Sequence, residues 1–91
     1  MNVDEFIEKI ISKYGRMAQM THAIQELSEL SIEITKAQLG RKNRTELIGE
    51  IADVELMIKQ LKYMFNIYDI EVENVMQYKI NRTVKRCKLD C

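Results

Sequence analysis

The stretch RMAQMTHAIQELSELSIEITKAQLGRKNRTELIGEIADVELMIKQLKYMFNIY, residues 16–68, decides the fold. It reads as two long helices joined by a short polar loop. In the first, from about Arg16 to Leu39, Met17, Met20, Ile24, Leu27, Ser31 and Ile34 follow alternating steps of three and four residues. That is a heptad-like seam suited to packing against another long helix. Gly40 is a plausible C-terminal cap, and Arg41-Lys42-Asn43-Arg44 forms the loop. The second helix starts near Thr45, a good N-cap residue, with Glu46 in its first turn, and continues to about Tyr68. Leu47, Ile51, Val54, Ile58, Leu61 and Phe65 repeat the same seam. A loop this short predicts an antiparallel hairpin.

Outward from the hairpin, Phe6, Ile7, Ile10 and Ile11 make an apolar stripe on a helix from Val3 to Lys13, softened or broken at Gly15. After a break at Asn66–Asp69, a last helix runs from Ile70 to Arg86 with Asp69 as its cap and Val72, Val75, Met76 and Ile80 apolar. Proline is absent and there are only 3 glycines, so turns are scarce and strands have little to connect them. The expectation is an all-α fold: a helical bundle of about four helices per chain with a long antiparallel central hairpin. Residues 1–91 make a single domain, and a chain this short buries a thin core, so oligomerisation is expected to complete the bundle.

The 14 basic and 14 acidic residues cancel. That excludes a global nucleic-acid binder or a polybasic membrane protein, and no stable nucleic-acid binding is expected. No apolar stretch is long enough to span a bilayer, so no membrane association is expected. Met1–Glu5 lacks the basic region and apolar core of a signal peptide, so the reading predicts a cytoplasmic protein with Cys87 and Cys91 as free thiols. Charge is uneven along the chain. Lys79, Arg82, Lys85, Arg86 and Lys88 crowd the C-terminal end, whereas acids concentrate in the middle.

Within the hairpin one spacing repeats. Glu26-Leu27-Ser28-Glu29, with Glu33 one turn on, lies on the first long helix, and Glu50-Ile51-Ala52-Asp53 lies on the second. Acids three residues apart stand about 60° apart on a helix and repel, at about 0.2–0.5 kcal/mol per pair. Two such pairs on neighbouring helices can converge their oxygens on one point. Hard-cation binding is the chemistry that wants this, because magnesium takes carboxylate oxygens, keeps several waters and shares substrate phosphates. One histidine and two terminal cysteines do not make a zinc site. Glu50 falls on the flank of the Leu47/Ile51/Val54 seam, so part burial is expected, and a buried carboxylate needs a partner or a metal. Glu26, Glu29 and Glu33 lie opposite the Met17/Ile24/Ser31 seam, on a face expected to meet solvent.

Gln25-Glu26-Leu27-Ser28-Glu29-Leu30 and Gly49-Glu50-Ile51-Ala52-Asp53-Val54, in a helix–loop–helix, resemble the paired acid motifs of the MazG-like nucleotide pyrophosphohydrolases. These belong to the all-α NTP pyrophosphatase superfamily, with dimeric dUTPases and phosphoribosyl-ATP pyrophosphohydrolase. The leading acid of each motif is replaced, by Gln25 and by Gly49. The resemblance covers roughly residues 20–86. It implies a homodimer or homotetramer with sites between adjoining subunits. It also implies hydrolysis of a nucleoside triphosphate (NTP or dNTP) to the monophosphate and pyrophosphate. Glu26, Glu29, Glu50 and Asp53 would hold Mg²⁺, or Mn²⁺ in its place. Glu29 or Glu33 would act as the general base, and Lys79, Arg82 and Arg86 would meet the substrate phosphates.

Other residues allow two readings each. His22, one turn before Glu26, can hold that carboxylate or contact substrate, or sit plainly on the surface. The methionines mostly sit at core spacing, where they can pack flexibly, or line a binding surface. Tyr63, Tyr68 and Tyr78 can stack on a base or pack between helices, and Cys87 and Cys91 can bind metal or cross-link. Two rival functions stand beside the enzyme: a non-catalytic helical dimerisation module, and the same fold acting on phosphoribosyl-ATP or dUTP.

Overall fold

The computed structural model describes residues 1–89. Four helices account for nearly all of them: α1 (Val3–Tyr14), α2 (Arg16–Gln38), α3 (Arg44–Phe65) and α4 (Asp69–Cys87). No described helix is long and apolar enough to cross a membrane.

Local chemistry fixes the boundaries. Asn2 caps α1 by accepting from the Glu5 backbone N–H at 2.8 Å, and returns a bond from its own Nδ2 to the Glu5 carboxylate. Gly15, at φ +89°, breaks α1 from α2 in a conformation that side chains other than hydrogen resist. Asn66 ends α3 in the left-handed region at φ 54°, one of the few non-glycine types that tolerate it. Glu71 starts α4 by accepting from the Tyr68 backbone N–H at 2.8 Å.

Two expected caps differ. Helix α3 begins at Arg44, with Asn43 rather than Thr45 in the flanking position. Asp69 is the first residue inside α4, where its carboxylate takes an ion pair from Lys62 at 3.0 Å. Asn43 makes no side-chain cap because it braces the α2–α3 loop instead. Its Nδ2 donates to the Glu33 carbonyl at 2.9 Å and to Glu33 Oε1 at 3.2 Å. Asn43 is buried, so truncating it strands those acceptors. Asn43→Ala is expected to lower the thermal midpoint by roughly 5 °C or more, read by circular dichroism.

Helices α2 and α3 make the main packing of the molecule. Contacts pair the start of α2 with the end of α3, where Arg16 donates to the Met64 carbonyl, and the end of α2 with the start of α3, at Glu33 and Asn43. Helix α1 lies across both, burying Ile7. The buried apolar set is small: Ile7, Ala23, Val54, Met57 and Met64. Helix α4 buries none of its residues.

The packed stripe of α2 is not the expected seam. Gln19, Ala23 and Glu33 are buried and Glu26 and Leu30 half-buried, whereas Met17, Ile24, Leu27 and Ile34 are exposed. On α3, Val54, Met57, Gln60 and Met64 are buried, while Ile51, Ile58 and Phe65 of the expected seam are 46%, 43% and 48% exposed. Each long helix therefore carries two stripes with three–four spacing, about a quarter-turn apart. The more polar one packs within the chain on α2. The solvent face expected for Glu26, Glu29 and Glu33 holds only for Glu29.

Candidate metal centre

Because α2 turns its acidic stripe toward α3, the carboxylates meet. Glu26, Glu29 and Glu50 each place an oxygen within 4.8 Å of the others. Glu26 and Glu50 are half-buried and Glu29 is exposed, so the group opens toward solvent on one side. Asp53 lies outside this triad but beside it. It shares a cavity wall with Glu26, and its charge acts on both Glu26 and Glu50.

Two oxygens in this group have no partner. Glu26 Oε2 and Glu50 Oε2 are shielded from solvent and accept no hydrogen bond. Glu26 uses its other oxygen, Oε1, which stands 2.7 Å from His22 Nε2. This is the carboxylate-holding role open to His22 from its spacing. A buried carboxylate oxygen without donor or cation is costly. The titration of the group reflects it. Burial pushes the Glu26 carboxyl up, and Asp53 and Glu29 push it further against the pull of His22. Burial likewise raises Glu50, with Glu29, Asp53 and Glu26 adding their charges.

No family model, curated protein or solved structure matches the chain. The site therefore rests on its own geometry. Among the described residues, Glu26, Glu29 and Glu50 are the acids whose oxygens gather closely enough to share a cation.

Glu33 stands apart. Its Oε1 accepts from Asn43 and its Oε2 meets Lys36 Nζ at 3.2 Å. The Asn43 bond, with help from Lys36, holds its carboxyl below the ordinary value. One oxygen braces the loop and the other pairs with Lys36 of the same helix, which is poor employment for a general base. Sequence spacing alone did not reveal this; the signal was Asn43, a buried loop asparagine. Lys79, Arg82 and Arg86 all lie on α4, and none forms an ion pair with the carboxylates among the described residues. Lys79 borders a groove with Val72, Val75 and Met76, and the Arg82 guanidinium sits 5.9 Å from the Tyr78 ring centre. Tyr63, Tyr68 and Tyr78 are exposed, as is Cys87; Cys91 lies outside the described residues.

These shifts set an expected pH response for the metal-free protein. Glu26 and Glu50 have raised folded values, so they favour the fold when protonated and oppose it as pH rises through the raised values. Glu33 has a lowered folded value, so its contribution is present above the ordinary carboxylate range and lost as pH falls through the lowered one. The thermal midpoint in EDTA is therefore expected to peak in mildly acidic buffer and fall on either side. A midpoint that climbs steadily to neutral pH contradicts this.

Proposed function

We propose that the carboxylates form a Mg²⁺ site, with Mn²⁺ able to substitute, in a nucleoside triphosphate pyrophosphohydrolase that yields the monophosphate and pyrophosphate. The observation that carries the reading is the pair of solvent-shielded, partnerless oxygens on Glu26 and Glu50 inside a close carboxylate triad. A shared divalent cation would satisfy both. The resemblance of the two acid motifs to MazG-like enzymes supplies the reaction.

On this reading Glu26, Glu29, Glu50 and Asp53 hold the ion, and His22 fixes the orientation of Glu26. When bound, the ion neutralises phosphate charge and lowers the pKa of a coordinated water. Glu29 is the exposed member of the triad and accepts the proton of the attacking water. Glu33 braces the loop and leaves the base role to Glu29.

The assembly is also part of the proposal. In an antiparallel α2–α3 hairpin, the uncovered stripes of the two helices fall on the same side, and α1 covers the other. That leaves Ile24, Leu27, Ile51 and Ile58 as one open apolar face for a second copy, giving a homodimer or a dimer of dimers. Helix α4 buries none of its residues and packs little on the other helices, so Lys79, Arg82 and Arg86 would be free to meet phosphates at a site completed by a partner copy. The setting proposed is cytoplasmic.

The test is pyrophosphate release from a panel of NTPs and dNTPs, with dUTP and phosphoribosyl-ATP included, in the presence of Mg²⁺. Release from none of them removes the reading. A non-catalytic helical module remains the second reading, favoured by the same open apolar face. Magnesium separates the two. An ion bound only by the folded chain at about 100 times its Kd adds about 2.7 kcal/mol, or roughly 10–20 °C in midpoint for a domain of this size. A solvated acidic patch gives almost no shift.

A further inference from the structure

We infer that α4 pairs antiparallel, through its apolar stripe, with α4 of a second copy of this chain. Val72, Met76, Ile80 and Val84 stand four residues apart, a row that a helix presents as one ridge. Val72 and Val84 are half-buried, whereas Met76 and Ile80 are 55% and 50% exposed. Helix α4 buries none of its residues and packs little on its own chain. The Cα radius of gyration is 16.4 Å, against about 12 Å for a compact domain of this length. The ridge is therefore left for something outside the chain.

Charge identifies that partner as a reversed copy of the same helix. From Asp69 to Tyr78, α4 carries Asp69, Glu71 and Glu73 and no base. From Lys79 to Cys87 it carries Lys79, Arg82, Lys85 and Arg86 and no acid. The ridge is centred at the level of Tyr78, where the sign changes. A copy laid in the same direction would set acids beside acids and bases beside bases. A copy reversed about Tyr78 sets Val72 against Val84 and Met76 against Ile80, and brings each acidic half beside a basic half. An anionic membrane or nucleic acid would draw the C-terminal half of α4 and repel the other. Lys79, Arg82 and Arg86 sit roughly 80–140° round the helix from the centre of the ridge, so pairing leaves them open. Two helices of 19 residues bury less than the about 800 Å² per partner of a stable interface, so the pair forms between copies that the α2–α3 face already joins. The pairing thus rests on the proposed assembly, and not on cation or phosphate chemistry.

The test is the distance between spin labels on Cys87 in the assembled full chain, read by double electron–electron resonance. The chain carries Cys91→Ser, so that Cys87 is its only thiol. Cys87 is exposed and is the last residue of α4. Reversal sets position 87 level with position 69, so the labels are expected to stand a helix length apart, roughly 27 Å. A same-direction pair would bring them within about 15 Å. Met76→Glu combined with Ile80→Glu changes two exposed positions on a helix that buries nothing. It is expected to keep the parent's helicity and its sedimentation as a dimer, and to lose the label distance. The short separation, or the long one persisting unchanged in the double variant, overturns the inference. An assembled chain with no defined separation overturns it too, and shows that another occupant covers the ridge. A parent chain that sediments as a monomer removes the pairing and the proposed assembly together. A dimer without the expected distance removes the pairing alone.

Discussion

Glu50→Gln is expected to cut Mg²⁺-dependent pyrophosphate release by about 100-fold or more, while the metal-free protein melts higher than the parent chain. The two effects have one cause. Glu50 is half-buried, faces Glu26 and Glu29, and keeps one oxygen shielded and unpartnered. With no cation present its charge is opposed by burial and by three neighbouring carboxylates. An uncharged amide of the same shape relieves that opposition and can donate to a neighbour. With a cation present the same charge is needed, so the substitution removes a ligand. A residue kept only for the fold would not trade stability for activity in this direction. Loss of activity together with loss of stability would point to a packing role instead.

On the proposed assembly, Ile51→Glu combined with Ile58→Glu is expected to convert a dimer to monomers and to lower its thermal midpoint steeply. A single chain buries few apolar side chains, with Ile7, Ala23, Val54, Met57 and Met64 as its core. Ile51 and Ile58 lie on the uncovered stripe of α3, with Ile24 and Leu27 on that of α2. Each isoleucine covered by a partner contributes about 1.5–3 kcal/mol, and a twofold interface counts every contact twice. Carboxylates there would also face each other across the interface without partners. Sedimentation velocity reads the outcome. A parent chain that sediments as a monomer contradicts the proposed assembly outright, and a double variant that stays assembled shows that another face is used.

Much of the helical plan was legible in the residues, because local signals decide it. Gly15 and Gly40 punctuate, Asn66 stops α3, and the apolar steps of three and four mark the long helices. The site was half legible. The spacing of Glu26, Glu29, Glu50 and Asp53 suggests that their oxygens could meet; in the structure oxygens of Glu26, Glu29 and Glu50 lie within 4.8 Å of one another and Asp53 stands beside them. Which stripe of α2 packs was not legible. Both stripes have helical spacing, and hydrophobicity alone assigns the more apolar one to helix–helix packing within the chain. The structure instead packs α2 against α3 over Gln19, Ala23, Glu26 and Glu33 and leaves Met17 and Ile24 exposed. A pattern of one chain does not say which of two stripes meets that chain and which meets a neighbour. Glu33 shows the same limit at one residue: its place one turn after Glu29 suggests chemistry, but Asn43, ten residues on in the loop, takes its carboxylate.

The most direct measurement is a Mn²⁺ titration followed by electron paramagnetic resonance, run in parallel on the parent chain and on Glu50→Gln. The account predicts saturable binding by the parent chain, displaced by excess Mg²⁺, and weakened by about tenfold to 100-fold or more in the variant. Free manganese signal that never saturates, or equal binding by both proteins, would contradict it.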